Sequence, residues 1–256
     1  MHDLITQREL PTVLLIDDDL VSREVAATML TLSGYTVYTA EDGEGALGKV
    51  GIKSGCNPSV ILMDTQMPGL SGMELIRELR ARTKALVIAI SGSEAGEEVT
   101  RAADGFLLKP FDAASLENLL EKRGAVPASA SRSRARIDDA DPVVSPETLA
   151  QLRSLMPEEG IREVYSAVAA DLERRISELE TAIAGQDIPA VRRIGHAIKG
   201  GCGMAGALQA ARLGAMLEAL PDDVIGNQLD NSAKLLDNLR SAARNLERIL
   251  TSELPV

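Results

Sequence analysis

Aromatic residues are scarce: the chain of 256 residues has no tryptophan, two phenylalanines and three tyrosines. Few rings are available to stack on bases, and a formal charge of −11 denies it the basic surface that general nucleic-acid binding needs. Direct DNA binding is therefore not expected, and basic patches on partner proteins are a better match. Cysteine is rarer still. Cys56 and Cys202 lie in different segments without CxxC spacing, so neither a disulfide framework nor a zinc site is indicated, and a reducing cytoplasm fits. No uncharged apolar run approaches membrane-spanning length, and the opening MHDLITQREL is polar and acidic where a signal peptide is apolar. A soluble, cytoplasmic protein without membrane insertion is expected. Histidine occurs only at positions 2 and 196.

A composition break divides what is present. Residues 124–144, GAVPASASRSRARIDDADPVV, are small, proline-containing and mixed in charge, without lasting periodicity. They are read as a linker between a domain at 11–123 and a second at 145–252. A flexible stretch of that length averages roughly 25 Å end to end, enough for two small domains to reorient.

The first half alternates short apolar runs with helical spacing. TVLLI (12–16), YTVYTA (35–40), SVILM (59–63), ALVIAI (85–90) and GFLLK (105–109) read as strands. Helices are expected to begin near Asp19, Asp42, Ser71, Ser93 and Asp112, each able to cap. Apolar strands joined by helical crossovers imply an α/β fold, a doubly wound five-stranded parallel sheet, with its site beyond the carboxyl ends of the strands.

Those ends carry Asp17, Asp18 and Asp19 after the first strand, Asp64 after the third, Ser91 after the fourth, and Lys109 with Pro110 after the fifth. Clustered carboxylates repel, and a hard cation such as Mg²⁺ holds them together economically. A carboxylate beside Mg²⁺, with a lysine and a hydroxyl in reach, suits acceptance of a phosphoryl group, and Asp64 is the candidate nucleophile. Taken singly, Asp19 is a helix cap, Ser91 a turn residue and Phe106 a core residue. Only the joint arrangement raises them to a site.

LLIDDDLVSR and MDTQMPGLSG, with its D-x-x-M-P-x-x-x-G pattern, resemble the acidic-pair segment and phosphoacceptor turn of response-regulator receiver domains. The resemblance implies that Asp64 is phosphorylated and that Asp17 and Asp18 hold Mg²⁺ with the backbone carbonyl of Gln66. It also implies that Ser91 contacts the phosphoryl group, that Lys109 pairs with it, and that Phe106 is the aromatic switch residue. The stretch from Ser91 to Lys109 is about one helical turn shorter than in the usual receiver, so a truncated fourth helix is expected.

Residues 145–252 show long Ala/Leu/Ile patterns broken near Pro157, Gly185–Pro189 and Pro221–Asp223, which predict four or five helices and an all-α four-helix bundle. The third long segment, IPAVRRIGHAIKGGCGMAGALQAARLGAMLEAL, holds His196. At 100° per residue Val191, Ile194, Ala197 and Ile198 share one face, while Arg192, His196, Lys199, Gly200, Gly203 and Ala207 lie opposite, so His196 is expected to point outward. Interior glycines cost about 1 kcal/mol each relative to alanine. Access for a partner is one reason to keep them, and close helix packing is the other.

GHAIKGGCGMAGA resembles the H-x-L-K-G-S-S-x-x-x-G-A signature of histidine phosphotransfer (HPt) domains, with Ile198 for leucine and Gly201-Cys202 for the serines. The resemblance implies a phosphorylated His196, electrostatic help from Lys199, and room at Gly200 for a docking receiver. Together the two resemblances imply a phosphorelay protein served by a sensor histidine kinase and by another receiver domain or response regulator. An external partner is favoured for His196. No nucleotide-binding glycine motif is present, so it is not expected to be an ATP-dependent kinase. The alternative is a phosphorylation-regulated interaction module in which His196 only helps to dock a partner.

Overall fold

The computed structural model describes residues 10–50, 56–92, 96–121, 142–221 and 227–252. Five strands, β1 (Thr12–Ile16), β2 (Thr36–Ala40), β3 (Val60–Asp64), β4 (Leu86–Ser91) and β5 (Gly105–Leu108), alternate with α1 (Leu20–Leu32), α2 (Gly43–Lys49), α3 (Gly72–Arg82), α4 (Glu97–Ala102) and α5 (Ala113–Glu121). All the pairings are parallel, in the order β2-β1-β3-β4-β5. The order reverses beside β1, which opens a crevice at the carboxyl ends of β1 and β3.

Alternate strand residues face opposite layers, as a period of two requires. Val13, Leu15, Leu62 and Ile90 pack with α1 and α5, whereas Leu14, Ile16, Ile61 and Met63 pack with Leu75, Ile76 and Leu79 of α3. Caps set most of the helix starts. Asp19, Asp42 and Asp112 each accept a backbone N–H from three residues on, those of Ser22 at 2.8 Å, Gly45 at 2.6 Å and Ser115 at 2.7 Å. Ser71 is the N-cap of α3 without a side-chain capping bond. Ser93 lies outside the described residues, and the N-cap of α4 is Gly96. With six residues, α4 is as short as the sequence implies.

The second half is helical: α6 (Pro146–Leu155), α7 (Glu158–Ala184), α8 (Ile188–Met204), α9 (Leu208–Glu218) and α10 (Asn227–Ser252). Helices α7 to α10 form the bundle, and α6 packs on α7. Pro146 and Pro189 sit in the first helical turns, where a missing N–H costs nothing. The expected linker lies outside the described residues apart from 142–144, of which Val144 is buried against the bundle.

The third segment is two helices rather than one. Gly206, at φ +71°, turns the chain after Met204, and its carbonyl accepts the Ser145 N–H at 2.8 Å. A Cβ there would strike Thr148 at 2.7 Å, so glycine is required twice over. Ala207 therefore belongs to the turn before α9 and not to the face of His196.

Candidate functional site

The strand ends converge as the sheet topology demands. Asp17 follows β1, Asp64 ends β3, Ser91 ends β4 and Lys109 follows β5, and all four are buried. Lys109 Nζ donates to Asp17 Oδ2 at 2.7 Å and to Asp64 Oδ2 at 2.5 Å. Ser22 Oγ and the Asp19 N–H donate to Asp17 at 2.7 and 3.0 Å, and the Gln66 N–H donates to Asp64 Oδ1 at 2.8 Å. Burial raises the pKa of Asp17 above the usual range, helped by the charge of Asp64 and opposed by Lys109. Asp18 is raised for the same two reasons, burial first and Asp64 second. Burial disfavours the Lys109 ammonium, yet Asp17 and Asp64 outweigh it and hold its pKa above the usual lysine value. One lysine thus faces three carboxylates. Asp17, Asp18 and Asp64 each offer an oxygen within 4.8 Å of the others, an all-oxygen donor set of the kind a hard divalent cation takes.

His196 lies on α8 with its ring beside the strand ends. Nδ1 is 2.8 Å from Glu218 Oε1, and Lys199 Nζ donates to Glu218 Oε2 at 2.8 Å. The His196 bond, more than the Lys199 charge, pulls the Glu218 pKa down to about 2. An ionised carboxylate only accepts, so Nδ1 carries a proton, and in the neutral imidazole Nε2 is then the nitrogen with the lone pair. Gly195 makes this possible: a Cβ there would lie 2.7 Å from the Glu218 backbone N and from Leu217 Cβ, so the missing side chain lets α9 press against α8.

Both sets open on one cavity of about 620 Å³. Asp18, Asp64, Gln66, Lys109 and His196 line it, with Arg192, Arg193 and Glu218. Asp17 and Ser91 are buried and do not line the cavity, and the Ser91 carbonyl accepts the Lys109 N–H at 2.8 Å. Lys199 reaches Glu218 from the side; its Cε would lie 3.7 Å, and His196 Cε1 3.8 Å, from a Cβ placed on Gly92, the residue after Ser91. Phe106 is half-buried on β5.

The face expected to point outward is covered by the chain's own first half. His196 is half-buried and Gly200, Gly201 and Gly203 are buried; α1 packs on α8 at Gly201, and Gly203 faces Ala211 of α9. Room for this approach falls at Gly201, where an added Cβ would meet Asp19 Oδ1 at 3.0 Å; at Gly200 it would meet nothing within 4 Å. Glu218 was missed by motif reading, although it is the only acidic residue between Leu208 and Leu220. Cys56 and Cys202 are both buried free thiols, and burial pushes the Cys202 thiol up to about 12. Among the described residues no helix is long and apolar enough to cross a membrane.

Comparisons with known proteins bear on both halves. The response regulator receiver domain family model matches residues 13–121, and the Hpt domain family model matches residues 163–249. A cyclic di-GMP phosphodiesterase of Thermotoga maritima is 33% identical over 106 residues, 40% of this chain and 27% of that protein. Response regulator MprA of Mycolicibacterium vanbaalenii is 34% identical over 119 residues, 44% of this chain and 49% of that protein. The chain thus spans half or less of the length of these curated relatives. Among solved structures, the response regulator TrrA of Thermotoga maritima in complex with Mg²⁺-BeF is 30% identical, with a TM-score of 0.39 covering 44% of this chain and 99% of that one. A Vibrio cholerae chemotaxis protein, CheY4, is 27% identical with a TM-score of 0.37, covering 44% and 97%.

Proposed function

We propose that this chain, a two-component phosphorelay protein that joins a response regulator receiver domain to an Hpt domain, accepts a phosphoryl group on Asp64 and carries one on His196 for exchange with a receiver. The observation that carries this reading is that both side chains line one cavity.

Asp17, Asp18 and Asp64, with the Gln66 backbone carbonyl, are the residues to hold Mg²⁺, and the excess of carboxylate over Lys109 fits a divalent cation there. When bound, that cation neutralises phosphoryl oxygens. Lys109 already spans Asp17 and Asp64 and is placed to pair with a group on Asp64. Ser91, at the end of the neighbouring strand, is the hydroxyl within reach of the same group. Asp64 supplies the attacking oxygen.

In the bundle, Glu218 holds the Nδ1 proton and leaves Nε2 as the nucleophile, and Lys199 adds positive charge beside the phosphoryl site. The partners that fit are a sensor histidine kinase upstream and a separate receiver domain or response regulator, with no direct DNA contact and no membrane insertion, in the cytoplasm.

The test is labelling by acetyl phosphate with Mg²⁺. An acid-stable, base-labile acyl phosphate on Asp64 is expected, lost without Mg²⁺ and weakened in Lys109→Ala. Undiminished label in Asp64→Asn contradicts the proposal.

A further inference from the structure

The apolar core does not stop between the two halves. Val21, Val25 and Met29 of α1 belong to one continuous buried cluster with Ile198 and Cys202 of α8. Across the same boundary Arg175 of α7, itself buried, donates from Nη2 to Asp19 Oδ2 and from Nε to Asp171 Oδ2 at 2.5 Å. Asp19 uses its other oxygen, Oδ1, to cap α1. A cap needs one oxygen; here the second reaches the other domain. The side chains of the pair are each 10% exposed, so breaking it leaves a poorly solvated charge. Such pairs are more useful for fixing a register than for raw stability.

We infer that the receiver of this chain is the resident partner of its own His196, and that the Asp19–Arg175 pair is the latch that sets this pairing against a separate receiver. The inference rests on the reading of Asp64 and His196 as phosphoryl stations. With the latch closed, exchange runs within one chain. A tethered domain has an effective concentration on the order of millimolar, so an untethered receiver gains His196 only when the latch opens.

The exchange balances without an outside acid or base. The Nε2 lone pair forms the P–N bond as the bond from phosphorus to the Asp64 oxygen breaks, and that electron pair stays on the Asp64 carboxylate. The Nδ1 proton remains in place, and Glu218 offsets the positive charge of the phosphorylated ring. The reverse step returns the electron pair to Nε2.

Arg175 touches no reacting atom and is a positioning residue, so two rates test it. Wild-type chains labelled on Asp64 by acetyl phosphate report exchange within the chain, with a first-order rate independent of protein concentration. Labelled His196→Gln chains mixed with Asp64→Asn chains report transfer between chains, read as acid-labile phosphate on the latter. Arg175→Glu, set against Asp19 and Asp171, is expected to slow the first rate about tenfold or more and, in the Asp64→Asn chain, to speed the second by a similar factor. Arg175→Lys is expected to leave both near their parent values. A bundle that is merely weakened slows both rates, and that result overturns the latch, as does no change in either. Small-angle X-ray scattering decides the docking without chemistry: the radius of gyration is expected to rise in Arg175→Glu, and an unchanged radius overturns the latch. If no chain ever carries acid-labile phosphate, the role of His196 falls while the scattering still reports on the latch.

Discussion

Glu218 Oε1 lies 2.8 Å from His196 Nδ1, and its second oxygen takes Lys199 Nζ at the same 2.8 Å. One carboxylate thereby fixes the tautomer of the imidazole and the position of the neighbouring ammonium. Glu218→Gln keeps an accepting oxygen but loses the charge that offsets a phosphorylated ring. Its expected effect is a fall of about tenfold or more in the rate of His196 phosphorylation, by analogy with carboxylates that orient a catalytic histidine. A time course of acid-labile phosphate measures it.

The same contact predicts a pH dependence of stability. The folded-state pKa of Glu218 is lowered to about 2 from a model-peptide value of 4.5, so its contribution is fully present above pH 4.5 and is lost as the pH falls toward 2. The group is partly solvated, which limits that contribution to about 1 kcal/mol. Urea unfolding of wild type and Glu218→Gln is expected to differ at pH 6 and to converge across that acid window.

Lys109→Met removes the ammonium that pairs with both Asp17 and Asp64, which are both buried. Without a divalent cation the loss is expected to be about 3–5 kcal/mol, the cost of stranding a buried charge. Mg²⁺ at a hundredfold excess over its dissociation constant returns about 2.7 kcal/mol. Unfolding midpoints with Mg²⁺ and with EDTA check both halves of this expectation.

Two glycines of α8 separate packing from access. Gly195→Ala puts a methyl group 2.7 Å from Leu217 Cβ and is expected to cost about 1–3 kcal/mol by forcing α9 away. Gly200→Ala meets nothing within 4 Å and is expected to gain about 0.5–1 kcal/mol of helix stability. Thermal unfolding of the two variants gives opposite signs if the assignment holds.

Strand-end chemistry was legible because a parallel sheet sends every carboxyl end to one edge. Asp17, Asp64, Ser91 and Lys109 could be placed together from order alone, and Asp19 could be read as a cap. Glu218 was not legible as part of the site, since a single acid on an apolar helix carries no motif and its partner is 22 positions earlier. Helical periodicity gave His196 a face but not what covers that face. The covering helix, α1, lies at the far end of the chain, and no local pattern in α8 names it. The turn at Gly206 was missed because GGCGMAGA reads equally as a weak helix or as a helix end.

The most direct measurement is the chemistry of the label after acetyl phosphate and Mg²⁺ are given to wild type, Asp64→Asn and His196→Gln. The account predicts base-labile phosphate in wild type and His196→Gln, acid-labile phosphate in wild type only, and neither in Asp64→Asn. Acid-labile phosphate that persists in His196→Gln, or base-labile phosphate that persists in Asp64→Asn, would contradict it.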